Sequence, residues 1–332
     1  MPAPAEHLPA AGTGIALSVD RLTKQFGTRL AFSDVTFEVG QGEVFGFLGP
    51  NGAGKTTTIR MLTALIAPSA GDAWIDGLAL GPQDSASRQR GGVLTETPGL
   101  YERMTARENL TFFARLYRVP GAEIGRRIEY SLRRLDLWDR RDDRVGGFSK
   151  GMKQKVALAR ALLHQPPVVF LDEPTAGLDP ESAVVVHEFI DQIRGEGRTI
   201  FLCTHNLDEA ERLCDRVAIF RRHIIRMGSP LELRRSLYGR QVEICLAEPA
   251  ASPRLLQTVR ALPISTGAES DGDGRLVVSL QDQDTQIPAL VTALVGAGAQ
   301  ITRVAEVEHS LQRAYLDLIH QAEEEPVLQG VR

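Results

Sequence analysis

A glycine-rich stretch from Gly49 to Thr56 has the residue types and spacing that bind phosphate groups in proteins. It reads Gly-Pro-Asn-Gly-Ala-Gly-Lys-Thr and fits the pattern G-x-x-x-x-G-K-[ST] at every position. Glycines let the backbone curl until successive N–H groups face one anion, and a following helix adds its partial positive charge. In such a loop Lys55 can reach the β- and γ-phosphates of a nucleotide, and Thr56 can ligate Mg²⁺. The residues predicted to bind the nucleotide here are Gly49, Pro50, Asn51, Gly52, Ala53, Gly54, Lys55, Thr56 and Thr57.

Two adjacent carboxylates, Asp172 and Glu173, follow the apolar residues Val168 to Leu171. Because ligands of α/β proteins bind at the carboxyl ends of parallel strands, Asp172 is predicted to hold Mg²⁺, directly or through water. Glu173 is predicted to polarise an attacking water as a general base. Helix capping or plain solvation is the alternative for an isolated Asp-Glu pair, and the complete phosphate loop favours the catalytic interpretation.

The elements that must position these residues alternate between strand-like and helix-like sequence patterns. Continuous apolar strands between helices are typical of an α/β fold, in which helices cover both faces of a parallel sheet. The strand before the phosphate loop and the helix after it argue against a chance glycine-rich loop. We predict strands at 44–48, 168–172 and 199–204, helices at 56–65 and 183–194, and an almost wholly helical insertion between 105 and 163.

The sequence changes character after Gly228-Ser229-Pro230, where a second, smaller domain is predicted. Its elements follow the order β-α-β-β-α-β, which resembles a small ferredoxin-like α+β sandwich. The predicted strands are 241–247, 264–269, 275–280 and 300–306, and the predicted helices are 253–262, 285–296 and 309–321. The predicted domains are 15–235, with a helical subdomain at about 97–165, and 240–321, between disordered tails at 1–14 and 322–332.

Composition disfavours several classes of protein. The chain has 332 residues, of which 43% are hydrophobic and 24% charged, so it can bury cores for two domains. A net charge of −4 disfavours nucleic acid as a partner. The three cysteines form no CxxC pair, which fits a reducing cytosol. The N-terminus lacks a signal-peptide pattern and the apolar runs are too short to span a bilayer, so we expect a soluble, cytoplasmic protein that reaches a membrane only through a partner.

A third motif, Phe148-Ser-Lys-Gly-Met-Lys-Gln-Lys155, precedes the Asp-Glu pair by about twenty residues. It resembles the signature loop of the ABC ATPase family, usually written LSGGQ, and the resemblance to that family extends over about 17–233. Lys150 and Met152 replace the usual Gly and Gln, as in the branch that serves ABC-2 type exporters, such as drug-resistance and sodium-export systems. The resemblance implies that Ser149 and Gly151 close over the γ-phosphate of ATP bound to the opposite subunit. A simple helix N-cap at Ser149 is compatible with this role.

Four further positions match the order of motifs in the family. The resemblance implies that Phe26 stacks on adenine, although a core aromatic is the alternative. Asp179, in Gly177-Leu-Asp-Pro180, resembles the D-loop that contacts the other subunit, and His205 resembles the switch histidine that touches the γ-phosphate. Glu96 stands where the family usually has Gln. It is either a ligand of Mg²⁺ or water, or a solvated surface residue.

The family resemblance implies an ATPase that binds ATP and Mg²⁺ between two subunits. Its predicted catalytic residues are Lys55, Glu173 and His205, and its predicted metal ligands are Thr56, Glu96 and Asp172. The expected partners are an ABC-2 type membrane permease and a second ATPase subunit, in a homodimer or heterodimer, without nucleic acid. The protein would then lie on the inner face of the cell membrane and drive transport, by subfamily resemblance export. A non-transport ABC ATPase and a regulatory nucleotide-binding protein are the alternatives, and the second domain either senses a small molecule or stabilises the dimer.

The helix predicted at 106–117 begins with a capping box formed by Thr105 and Glu108. The family resemblance places the contact with the permease around Glu96 and the helices from 105 to 138. The residues of this helix predicted to face the core are Leu110, Phe113 and Leu116.

Overall fold

The computed structural model describes residues 14–81, 85–280, 283–307 and 309–324. Within them the chain forms two compact units, with the boundary between Ser229 and Pro230. Most of the two predicted tails, 1–14 and 322–332, lies outside the described residues. The last helix continues through Glu324, so the helix end predicted at residue 321 is too early.

The first unit contains strands and helices in alternation. Its strands are β1 (Ile15–Phe26), β2 (Arg29–Gly40), β3 (Val44–Leu48), β4 (Ala70–Ile75), β5 (Leu78–Ala79), β6 (Gly91–Leu94), β7 (Val168–Asp172), β8 (Thr199–Thr204), β9 (Arg216–Phe220) and β10 (Ile224–Gly228). Its helices are α1 (Lys55–Leu62), α2 (Ser85–Gln89), α3 (Ala106–Leu116), α4 (Gly121–Arg134), α5 (Lys150–Leu162), α6 (Pro180–Gly195) and α7 (Leu207–Leu213).

The main sheet has the strand order β10-β9-β3-β8-β7-β6. The pairs β6–β7, β7–β8, β8–β3 and β3–β9 are parallel. Strand β10 pairs antiparallel with β9 at the edge of the sheet. Every residue of β3, β7 and β8 is buried, because both faces of a parallel sheet are covered. The strands predicted at 44–48, 168–172 and 199–204 are confirmed to the residue.

A second sheet of the first unit is antiparallel and has the order β2-β1-β4-β5. It packs on the main sheet through aromatic side chains. The ring of Phe37 in β2 stacks on Phe45 of β3 and Phe201 of β8, with centroids 5.3 and 5.8 Å apart. This contact joins the hairpin β1–β2 to the strand that leads into the phosphate loop.

Helices α3, α4 and α5 form the helical insertion between β6 and β7. Thr105 and Glu108 form the predicted capping box at the start of α3. Leu110 is fully buried and Phe113 is partly buried, whereas Leu116 is 65% exposed, so the prediction that Leu116 faces the core is wrong. At the end of α1, Ala64 adopts a left-handed φ of 54°, which ends this helix before the predicted residue 65.

The second unit has the elements α8 (Pro230–Tyr238), β11 (Arg240–Leu246), α9 (Ser252–Arg260), β12 (Ser265–Ser270), β13 (Arg275–Leu280), α10 (Gln283–Gly296), β14 (Ile301–Glu306) and α11 (Leu311–Glu324). The strand order is β12-β13-β11-β14, with every pair antiparallel. From β11 to β14 the chain follows the predicted β-α-β-β-α-β order, the ferredoxin-like arrangement. The boundary precedes residue 235 because α8, whose Leu233 is buried, packs against α11.

Candidate active site

The phosphate loop connects β3 to α1 at the carboxyl edge of the main sheet. A Cβ atom at position 49 would lie 2.3 Å from the carbonyl oxygen of Phe220 in β9, so only glycine fits there. Gly54, the N-cap of α1, has a φ of 114°, which residues with side chains rarely adopt. Among the described residues no side chain caps α1, so its first backbone N–H groups are open to an anion.

An open cleft of about 480 Å³ lies over the phosphate loop. Clefts of a few hundred Å³ are the usual size for small-molecule ligands. The cleft brings most of the predicted phosphate-binding, metal-binding and catalytic residues together from separate parts of the chain. Its lining includes Phe26, Arg29, Leu30, Pro50, Asn51, Gly52, Gly54, Lys55, Thr56, Thr57, Glu96, Asp172, Glu173, His205 and Arg222.

Glu173 joins Lys55 to His205 inside this cleft. Its Oε1 lies 3.7 Å from Lys55 Nζ, and its Oε2 lies 2.8 Å from His205 Nδ1. The Lys55 ammonium also donates to the carbonyl oxygen of Gly49 at 2.6 Å. Glu173 has a φ of 53°, a conformation that costs a residue other than glycine about 1–3 kcal/mol. Its backbone N–H donates to the Cys203 carbonyl in β8 at 2.8 Å, which holds it there.

Asp172 ends β7 with 1% of its surface exposed. Its Oδ2 has no hydrogen-bond partner among the described residues. Burial raises the pKa of Asp172, and the charges of Glu173 and Glu96 raise it further, against the lowering effects of Thr56 and Lys55. A divalent cation would satisfy the orphaned oxygen and oppose the cost of burying the carboxylate, so this donor set fits Mg²⁺.

Phe26 lies at the end of β1 with half of its surface exposed (50%). The Lys24 ammonium is 5.0 Å from the centre of its ring, and Leu30, also exposed, lines the same cleft. The alternative that Phe26 is a core aromatic is therefore wrong. An exposed ring at the mouth of a cleft offers a flat surface on which a base can stack.

Ser149 and Gly151 lie at the start of α5 and do not line the cleft. Ser149 is exposed, and its hydroxyl oxygen accepts a hydrogen bond from the Met152 N–H at 3.2 Å, as expected of an N-cap. Gly151 is buried, and a Cβ there would lie 3.4 Å from Leu178 and from the Ser182 hydroxyl. The start of α5 thus packs directly on the loop that follows Glu173.

Asp179 ends that loop and is the N-cap of α6. Its carboxylate accepts the Ser182 N–H at 2.8 Å, and the hydrogen bonds from Ser182 hold the pKa of Asp179 below its usual value. Lys150 lies across Gly177, where an added Cβ would come within 2.6 Å of the Lys150 ammonium. Like Ser149, Asp179 is exposed and lies outside the cleft.

Comparisons with known proteins agree with this arrangement. The sequence profile of the family described as ABC transporter matches residues 32–176. The ABC transporter ATP-binding protein NatA of Bacillus subtilis is 49% identical over 189 residues, which cover 56% of this chain and 76% of NatA. The daunorubicin resistance ATP-binding protein DrrA2 of Streptomyces coeruleorubidus is 32% identical over 306 residues, 92% of this chain and 95% of DrrA2. This chain belongs to the ATP-binding proteins of ABC transporters.

A solved structure described as the ATP binding subunit of an ABC transporter supports the same conclusion. It is 36% identical, has a TM-score of 0.63, and is matched over 68% of this chain and 94% of that chain. The predicted family and the predicted α/β fold of an ABC ATPase are confirmed. Within the described residues, no helix has both the length and the apolar character needed to cross a membrane.

Five residues of this ABC ATP-binding protein line the cleft without having been expected there. Ala31 and Ala176 contribute only small side chains, and the three larger ones are Arg29, Leu30 and Arg222. They lie at the turns of the β1–β2 and β9–β10 hairpins, which approach each other where the Ser33 N–H donates to the Arg222 carbonyl at 3.0 Å. No local motif marks them, because their place depends on how the two sheets pack. Arg29 and Arg222 add positive charge near the phosphate loop.

Proposed function

We propose that this ABC ATP-binding protein hydrolyses ATP, and that two subunits close on two nucleotides to drive a membrane permease. The observation that carries the proposal is the separation of two groups of residues on one chain. Lys55, Glu173 and His205 share the cleft, while Ser149 and Gly151 lie outside it. One chain therefore supplies only part of the site, and a second subunit related by a two-fold axis would supply the rest.

The residues of the cleft have separate roles in the proposed hydrolysis. Asp172 and Thr56, with Glu96 as a further oxygen donor, would hold Mg²⁺, which would neutralise phosphate charge. Lys55 exchanges the Gly49 carbonyl for phosphate oxygens, which brings its charge onto the β- and γ-phosphates.

The proton of the attacking water has a defined destination. Glu173 Oε2 accepts it, and His205, 2.8 Å away, steadies the carboxylate and contacts the γ-phosphate. Phe26 stacks on the adenine ring at the mouth of the cleft. Hydrolysis then removes the γ-phosphate contact to Ser149 and Gly151 of the other subunit, and the dimer reopens.

The dimer forms from two copies of this chain or from this chain and a related subunit. Every motif of a complete site is present here, so a symmetric pair has two competent sites. The net charge of −4 gives no reason to propose a nucleic acid partner.

An ABC-2 type permease is the membrane partner that we propose. Tyr101, Phe112 and Leu116 are exposed on the helical insertion, and Tyr101 makes an edge contact with Phe112 at a centroid distance of 5.2 Å. Exposed apolar side chains that lie together mark an interaction site. These three residues follow Glu96, which lines the cleft, so a permease bound to them would respond to whether the cleft contains a nucleotide. The resistance role in the name of DrrA2 favours export, with this protein at the inner face of the cell membrane.

Replacing the proposed base tests the function directly. Glu173→Gln keeps the shape of the side chain, so ATP binding should persist while kcat falls by about 10²- to 10⁴-fold. Glu188→Gln, on the exposed surface of α6, is the matched control and should hydrolyse ATP like wild type. Full turnover in Glu173→Gln would reject the assignment of the base. ATP binding without turnover in wild type would favour a regulatory nucleotide-binding protein.

A further inference from the structure

A buried carboxylate outside the cleft has no part in the proposed mechanism. Glu209, on α7, has a side chain with no exposed surface. Its Oε1 accepts hydrogen bonds from the Thr175 hydroxyl at 2.8 Å and from His187 Nε2 at 3.1 Å. Its Oε2 has no partner among the described residues. An apolar side chain of similar size would fill the space without the cost of burying a carboxylate, so packing alone does not account for Glu209.

The donor and the acceptor of each hydrogen bond around the Glu209 carboxylate can be assigned. Arg212 Nη1 lies 3.2 Å from His187 Nδ1, and a guanidinium can only donate. His187 Nδ1 is therefore an acceptor, and the ring proton lies on Nε2, from which it is donated to Glu209. The Glu209 carboxylate thus has two donors on one oxygen, one from each of two neighbouring segments.

Those two segments both lead to residues of the candidate site. Thr175 follows Glu173 by two residues in the loop that ends at Asp179, and His187 lies on α6, which begins directly after Asp179. Glu209 itself follows His205 by four residues. The Asn206 side chain caps the start of α7, because its Oδ1 accepts the Glu209 N–H at 3.2 Å. One carboxylate oxygen therefore links the loop after Glu173, helix α6 and the segment that carries His205.

We propose that Glu209 is a positioning residue that holds Glu173 and His205 in register with each other. The inference rests on the proposed hydrolysis at Glu173. Glu209 does not line the cleft. It fixes the two backbone segments on either side of the 2.8 Å contact between Glu173 and His205. A displacement of about 1 Å between reacting groups can lower a rate by about 10²-fold, so the loss of this link should lower kcat.

The kinetic test uses four variants of the full-length protein. Glu209→Ala and Thr175→Val each remove one end of the link, and Thr175→Val does so at nearly constant shape. Both should lower kcat, by about 10- to 100-fold for Glu209→Ala, while the KM for ATP stays within about threefold of wild type. Glu209→Gln retains an oxygen that accepts both hydrogen bonds and should restore most of kcat. Glu188→Ala, an exposed change beside His187, is the control.

A second measurement does not depend on turnover. Amide hydrogen exchange of the nucleotide-free protein should be faster in 173–179 and around His205 in Glu209→Ala, and unchanged in strands β3 and β8. Unchanged exchange in 173–179 would overturn the proposal whether or not the protein hydrolyses ATP. Unchanged kcat in Glu209→Ala, or equal loss in Glu209→Gln and Glu209→Ala, would also overturn it. Absence of turnover in wild type would instead count against the proposed function.

Discussion

At the scale of single residues, the cleft concentrates charges of both signs within a few ångströms. Glu173 contacts Lys55 on one side and His205 on the other, and Asp172 is buried beneath them with an orphaned oxygen. An unshielded cluster of this kind is costly, because burial raises the pKa of Asp172 and the nearby carboxylates raise it further. Triphosphate and Mg²⁺ supply the missing counter-charges, so the site is built for a ligand that carries both.

Glu96 adds a negative charge to this cluster, and its removal should weaken metal binding. In Glu96→Gln we expect the affinity of the ATP-bound protein for Mg²⁺ to fall by about fivefold, the effect of about 1 kcal/mol of charge interaction at the edge of the cleft. Titration of the protein with Mg²⁺ and a non-hydrolysable ATP analogue measures this. Equal Mg²⁺ affinities would show that Glu96 is a solvated surface residue.

Phe26 should contribute to the recognition of the adenine ring of ATP and not of its phosphates. We expect Phe26→Ala to weaken ATP binding by about tenfold or more, since stacking on an aromatic ring contributes about 1–3 kcal/mol. Phe26→Tyr keeps the ring and should bind like wild type. Binding of inorganic triphosphate should be the same in all three proteins. An equal loss of affinity for triphosphate and ATP would contradict stacking.

Among the elements of the first unit, the three buried strands 44–48, 168–172 and 199–204 were predictable, whereas the other strands and the turns were not. Strands such as 168–172 are buried on both faces, so they are unbroken apolar runs that end at a polar residue. The end of α1 depends on the left-handed φ of Ala64, and Leu116 lies on a face of α3 that other helices leave open. Motifs whose residues are adjacent in the chain are readable from spacing. The contact between Thr175 and Glu209 is not, because only the fold brings these residues together.

The contact between the end of α5 and strand β6 should make the stability of the protein depend on pH in acid. His164 stacks on Tyr117 with ring centroids 4.2 Å apart, and its Nε2 lies 3.2 Å from the Gly91 carbonyl. Burial lowers the pKa of His164 from 6.5 to about 4, so below pH 6.5 the unfolded chain binds a proton that the folded chain does not. The free energy of unfolding should therefore fall as pH drops from about 6.5 to about 4, by up to about 1.4 kcal/mol per pH unit.

The variant His164→Phe keeps the ring and removes the titrating group. Urea unfolding at a series of pH values should show a smaller loss of stability in acid for the variant than for wild type. Parallel curves for the two proteins across this range would contradict a buried, neutral His164.

At the scale of the whole molecule, the chain divides between a unit that contains the complete cleft and a smaller ferredoxin-like unit. All residues that line the cleft precede the boundary at Ser229. The second unit has its own core, which includes Val242, Ile244 and Leu276. Its order of elements was readable from the sequence because its strands are short and the turn-forming run Asp271-Gly-Asp-Gly274 separates two of them. Its role is not encoded in any motif.

Removal of the second unit should separate nucleotide binding from assembly. A chain that ends at Ser229 should bind ATP with an affinity within about threefold of the full-length protein, because no residue of the cleft is lost. We expect its ATP-dependent dimer to be weaker, or its turnover to lose regulation. Loss of ATP binding in a folded truncation would count against the independence of the cleft.

If Ser149 and Gly151 complete the site of a second subunit, ATP should change the size of the protein in solution from monomer to dimer. Light scattering after size exclusion should show that Glu173→Gln dimerises with Mg-ATP and is monomeric without it. The double variant Glu173→Gln, Ser149→Glu places a negative charge at an exposed position outside the cleft, so it should bind ATP and remain monomeric. A monomeric, ATP-bound Glu173→Gln protein, or a double variant that dimerises equally well, would show that Ser149 does not complete the site of a second subunit.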